Sequence, residues 1–138
     1  MTNINSLTSE QKLRVAKIAK KFSLRLVLVF GSFAAGKNRK DSDLDIAVLG
    51  SGGISFREQV SLINELSHIF GKDVDLSVLN RANPLLLFEV SKNSLLLYGE
   101  KEEFFNFKLR AFHAYNDYAP YFEMEKELNK KNINAYAN

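Results

Sequence analysis

The sequence predicts an α+β fold in which a small sheet of about four strands is flanked by helices and followed by a helical C-terminal extension. Three observations lead there. Four short apolar runs, rich in branched and aromatic residues, are bounded by turn residues as strands are. Between them lie stretches with helical apolar spacing and recognisable caps. After residue 101 no strand signal remains.

The first element is a helix over residues 9–21. Thr8 and Gln11 form a capping box, Leu7 is placed to staple the turn, and Val15, Ile18, Ala19 and Phe22 recur at helical spacing. Leu24–Phe30 is a buried strand that stops at Gly31. Residues 32–37 are expected to form a short helix with Gly36 near its end, and residues 45–49 a second strand closed by a Gly-Ser-Gly-Gly turn. Ser55 and Glu58 repeat the capping box and open a helix to Phe70, with Gly71 at its C-terminal cap. Residues 74–79 are a third strand. Asn83-Pro84 is a cap with proline at the first helical position, starting a short helix to Val90. Ser94–Tyr98 is a fourth strand. Helix follows from Glu102 to Pro120, where proline should break it, and a further helix covers residues 121–131. The chain therefore reads as one domain, with a catalytic core at about 24–98 and an extension at about 102–131.

With 138 residues, this chain is long enough to bury a core of its own. It contains no cysteine, which excludes disulfides and thiolate metal sites. No apolar stretch approaches the ~20 residues of a membrane span, and residues 1–5 do not resemble a secretory signal, so a cytoplasmic location is expected. Charge is unevenly placed. Residues 1–40 hold nine Lys or Arg and one acid, whereas residues 41–99 hold four basic and eight acidic groups. Lys12, Arg14, Lys17, Lys20 and Lys21 fit the solvated face of the first helix. Lys37, Arg39 and Lys40 belong to a different feature.

That feature is the stretch GSFAAGKNRKDSDLDIAVLG, residues 31–50. In a strand Asp43 and Asp45 project to one side while Leu44 and Ile46 face the core. Two like charges held together repel unless a cation lies between them. A hard divalent ion such as Mg²⁺ takes one or two carboxylates together with substrate phosphates. Gly31-Ser32, at a strand end opening a helix, suits an anion, because the backbone can approach it closely and the hydroxyl can donate. A phosphate cradle and an acidic pair joined by a loop with Lys37, Arg39 and Lys40 describe a nucleoside triphosphate site. An isolated D-x-D is more often an exposed strand end. Gly-Ser at this fixed distance from it should arise by chance in only about two per thousand chains of this length. Asp75, a lone acid between Val74 and Leu76, supplies a third carboxylate, with Asp73 as its backup.

Gly31-Ser32, ten residues, Asp43-Leu44-Asp45 and then Val74-Asp75-Leu76 together resemble the DNA polymerase β-like nucleotidyltransferase superfamily. The match is best to its minimal nucleotidyltransferase branch and covers residues 24–98. The tail from Phe107 is similar to that of MntA-type antitoxins, which accompany HEPN-domain toxins. The resemblance implies a mixed sheet and a Mg²⁺-dependent adenylyltransferase. Asp43, Asp45 and Asp75 would be catalytic and would hold two Mg²⁺ ions, with Asp75 helping to deprotonate the acceptor. Gly31, Ser32, Lys37, Arg39 and Ser42 would bind ATP, and AMP would pass to a toxin tyrosine. Ala35 departs from the family, which often has Arg there; Arg39 or Lys37 would have to replace its hold on the triphosphate.

Eight of the sixteen aromatic residues lie between Phe104 and Phe122. Phe105, Leu109, Phe112 and Asn116 share one helical stripe. Aromatic residues on several sides exceed what one packing face needs, so Phe112, Tyr115 and Tyr118 are expected to contact the toxin. His68 and His113 are read as non-ligands. Neither a membrane nor a directly bound nucleic acid is expected. The rival readings are a catalytically weak module that neutralises the toxin by binding alone, and an enzyme acting on a small hydroxyl acceptor.

Overall fold

The computed structural model describes residues 7–36 and 42–137, with side chains as far as 132. Helix α1, Ser9–Lys21, starts at the Thr8 capping box, where the Gln11 backbone N–H donates to Thr8 Oγ1 at 3.1 Å and the Thr8 N–H to Gln11 Oε1 at 3.1 Å. Strand β1, Leu24–Phe30, follows as expected. Helix α2 is Gly31–Ala34, one residue earlier and shorter than the sequence predicts, because Ala35 caps it and Gly36 turns away at φ +72°. Strand β2 is Leu44–Gly50. Its extra residues are held from outside. The Leu44 N–H donates to the Asp73 carbonyl at 2.8 Å, and the Asn80 side chain both accepts from Gly50 N–H and donates to its carbonyl, each at 2.9 Å.

Helix α3, Phe56–Phe70, begins at the second capping box and ends at Gly71, whose φ of +64° is the left-handed cap that glycine takes without strain. Strand β3 is Val74–Val78, α4 is Pro84–Lys92 behind the Asn83 cap, and β4 is Ser94–Tyr98. Helix α5 runs unbroken over Lys101–Ala137 with Pro120 inside it. This corrects the expected break. Proline removes one intrahelical bond, but aromatic contacts cross it: Phe122 lies 6.1 Å from Tyr115 and 6.4 Å from Tyr118, and Tyr118 lies 6.0 Å from Tyr121.

The sheet order is β3-β2-β1-β4, with β2 and β3 parallel and the other pairs antiparallel. Both faces are covered, which is why β1 reads as a continuous apolar run. On one face Val27, Val29, Leu44, Ile46 and Val48 pack against Val15 and Ile18 of α1 and Leu62 and Leu66 of α3. On the other, Leu26, Leu28, Ala47 and Leu49 pack against Val90 of α4 and Phe107 of α5. Parity then decides the site. Asp43 and Asp45 share the face of Ala47 and Leu49, at the end where β2 begins. Among the described residues no helix is long and apolar enough to cross a membrane.

Candidate active site

Three strand ends meet at this edge. Asp45 stands opposite Phe30 of β1 and beside Asp75 of β3 in register, so the two carboxylates are cross-strand neighbours. Adjacent strands lie about 4.8 Å apart and side chains in register share a face. Asp43, two residues before Asp45, lies on the same side. Asp43 and Asp75 are exposed and Asp45 is half-buried.

The electrostatics follow from that placement. Burial raises the Asp45 pKa above the ordinary carboxylate range, and the charges of Asp75 and then Asp43 raise it further. Asp73, the backup acid, is exposed, and its carbonyl is engaged by Leu44. It precedes β3, whereas Asp75 lies within the strand and in register with Asp45. The third carboxylate of this group is therefore Asp75.

Gly31 closes the other side of Asp45. It takes φ +73°, and a Cβ built on it would fall on Asp45 Oδ2, inside any allowed contact. Glycine is thus required twice here, for the left-handed backbone and for the close approach to a carboxylate. Ser32 is half-buried in α2. Ser42, half-buried just before Asp43, offers its carbonyl to Lys72 Nζ at 3.5 Å. Lys37 and Arg39, expected at the nucleotide, lie outside the described residues, as does Lys40. Ala35 is exposed at the end of α2.

The structure therefore brings Gly31, Asp43, Asp45 and Asp75 to one edge, with Ser32 and Ser42 on the segments leading from and into it. Among the described residues no three acidic, His or Cys side chains already enclose a metal position. The aspartates instead present an open row of carboxylate oxygens. This donor set fits a hard divalent cation completed by phosphate oxygens, and Gly31 leaves room beside it. Sequence reasoning assigned Gly31 to the phosphate and did not see its contact with Asp45, because that contact joins positions fourteen residues apart.

On α5, the aromatic residues divide. Phe107 and Ala111 are buried, and Tyr115 stacks on Phe88 of α4 with centroids 3.9 Å apart. Tyr115 is thus engaged within the chain. Phe112 is 52% exposed and Tyr118 50%, and they are joined by Phe105, Tyr121, Met124 and Leu128 as exposed apolar positions.

A family profile described as polymerase β nucleotidyltransferase matches residues 14–103. A protein-adenylyltransferase homologue of Methanocaldococcus jannaschii is 34% identical over 84 residues, which is 61% of this chain and 86% of that one. The protein adenylyltransferase MntA of Shewanella oneidensis is 31% identical over 80 residues, covering 58% of each chain. Among solved structures, a chain of the complex between a tri-AMPylated Shewanella oneidensis HEPN toxin and its MNT antitoxin superposes with a TM-score of 0.67 at 21% identity. The match covers 92% of this chain and 98% of that one.

Proposed function

Because the chain belongs to the polymerase β nucleotidyltransferase family, we propose that it is a protein adenylyltransferase that serves as an antitoxin. It moves AMP from ATP onto a tyrosine of a HEPN-type toxin and so silences it. The observation that carries this reading is the row of carboxylates on one sheet face, with Asp45 and Asp75 side by side in register and Asp43 adjacent. The adenylyltransferase relatives support the reaction, and the AMP-bearing toxin in a structure of the same fold supports the acceptor.

In this reading residues 24–98 are the catalytic core of a single domain and residues 102–131 its partner-binding extension. The tyrosine hydroxyl attacks the α-phosphorus of ATP, an oxygen–phosphorus bond forms, and the bond to the β-phosphate breaks as pyrophosphate leaves. Asp75, exposed beside Asp45, takes the hydroxyl proton. Asp43 and Asp45, with Asp75, would hold Mg²⁺, which supplies charge neutralisation at the phosphate oxygens. Gly31 keeps the backbone close to the Asp45 carboxylate and, with Ser32, receives the phosphates. Lys37, Arg39 and Ser42 complete the nucleotide contacts. A cytoplasmic location fits a reaction that consumes ATP.

The deciding experiment is the intact mass of the cognate toxin co-expressed with wild type and with Asp43→Asn/Asp45→Asn. Wild type is expected to add one or more AMP units and the double variant none. Equal neutralisation by both, with no added mass, would replace this reading with neutralisation by binding alone, the outcome that Ala35 favours.

The exposed positions of α5 make a second expectation. Tyr118→Ala/Tyr121→Ala should weaken toxin binding by about tenfold or more, since buried aromatic anchors carry most interface energy. Tyr115→Ala should instead lower the melting temperature, through loss of its stack on Phe88. Calorimetric titration and thermal melts separate the two effects.

A further inference from the structure

We propose that Lys72 is a positioning residue for the nucleotide, holding the phosphate-binding turn and the acidic pair at a fixed spacing. This rests on the adenylyltransferase reading above. Lys72 lies in the turn between α3 and β3, half-buried, just after the Gly71 cap. Its ammonium sits 5.7 Å from the centroid of the Phe33 ring and donates to the Ser42 carbonyl oxygen at 3.5 Å. Phe33 is two residues after Gly31 in α2, and its ring packs against the core below the sheet. Ser42 is the residue before Asp43. One cation therefore touches both sides of the loop that separates Gly31-Ser32 from Asp43.

Its own base is anchored too. One residue after Lys72, the Asp73 carbonyl accepts from Leu44 N–H at 2.8 Å, which fixes the start of β3 against the start of β2. Lys72 then reaches from that fixed point to α2. A cation over an aromatic face and a charge-assisted bond to a carbonyl are each modest. Together they keep two segments in place that would otherwise have to be ordered by the incoming triphosphate, and pre-ordering of that kind appears as affinity. The triphosphate is bound in both ground state and transition state, so losing the clamp removes binding common to both. KM for ATP should rise while kcat stays nearly constant.

The test is steady-state AMP transfer by Lys72→Met and Lys72→Arg, with ATP and toxin varied separately and melting temperatures recorded. Lys72→Met should raise KM for ATP by about three- to tenfold, with kcat within about twofold and KM for the toxin unchanged. Lys72→Arg, which keeps charge and donor, should restore most of the affinity. An unchanged KM for ATP in Lys72→Met would overturn the proposal, as would an equal rise in both KM values with a fall in kcat. If wild type transfers no AMP, the calorimetric affinity for Mg·ATP replaces KM. Weaker binding by Lys72→Met alone would then sustain the role of Lys72 while the transferase reading fails. Equal binding by both, or none by wild type, would overturn it.

Discussion

Asp45→Asn is expected to abolish AMP transfer and, at neutral pH, to raise the melting temperature. Both follow from one environment. The Asp45 carboxylate is half-buried, with Asp75 in register beside it and Asp43 two residues away. Burial first, then Asp75 and Asp43, raise its pKa. A raised carboxylate pKa means that the folded chain keeps a proton which the unfolded chain has already lost. The contribution of Asp45 to stability is therefore full below the ordinary carboxylate value and is lost as pH rises through the raised one. Asparagine never ionises, so the variant escapes that cost at neutral pH, and its advantage should vanish in acid. Function needs the charge that stability resists. Phosphoryl-oxygen neutralisation is worth several kcal/mol, so transfer should fall by roughly a thousandfold or more. Transfer rates at neutral pH and metal-free thermal melts across pH check both. A variant that melts lower at neutral pH would show the three charges to be unstrained, and one that transfers AMP normally would remove Asp45 from the site.

Gly31→Ala should be nearly as damaging, for a steric reason. Its φ of +73° costs an L-residue about 1–2 kcal/mol. The added methyl would also lie 2.4 Å from Asp45 Oδ2 and force that carboxylate to shift from its place in the site. Gly36 provides the control. Its φ is +72°, the same strain, but among the described residues nothing lies within 4 Å of where its Cβ would be. Gly36→Ala should therefore lose about 1–2 kcal/mol in a denaturant melt and keep AMP transfer. Gly31→Ala should lose at least as much stability and transfer AMP at least about a hundredfold more slowly. Equal activity in the two variants would mean that Gly31 is needed only for its backbone angle.

Much of this was legible because it is local. Thr8 with Gln11 and Ser55 with Glu58 cap their helices as their spacing foretells, since cap and partner are three residues apart. β1 and β4 occupy the expected residues, as each is an uninterrupted apolar run ended by a turn. The helix through Pro120 was not legible. Tyr115, Tyr118 and Phe122 meet across the missing bond, a contact that single-residue propensity does not contain. Nor did periodicity reveal which aromatic face of α5 packs. Phe105, Leu109 and Phe112 form as good a stripe as Phe107, Ala111 and Ala114, yet the first stripe is exposed and the second meets the sheet and α4.

The amino-acid sequence by itself determined the strands, the capped helices, the family resemblance and the acidic pair, because spacing within a few residues governs caps, strand parity and turns. Tertiary structure alone decided that Asp75 stands in register with Asp45, that Gly31 packs against the Asp45 carboxylate, and that Lys72 reaches both Phe33 and the Ser42 carbonyl. Each of these joins segments distant in the chain, and only burial of both sheet faces brings such segments into register.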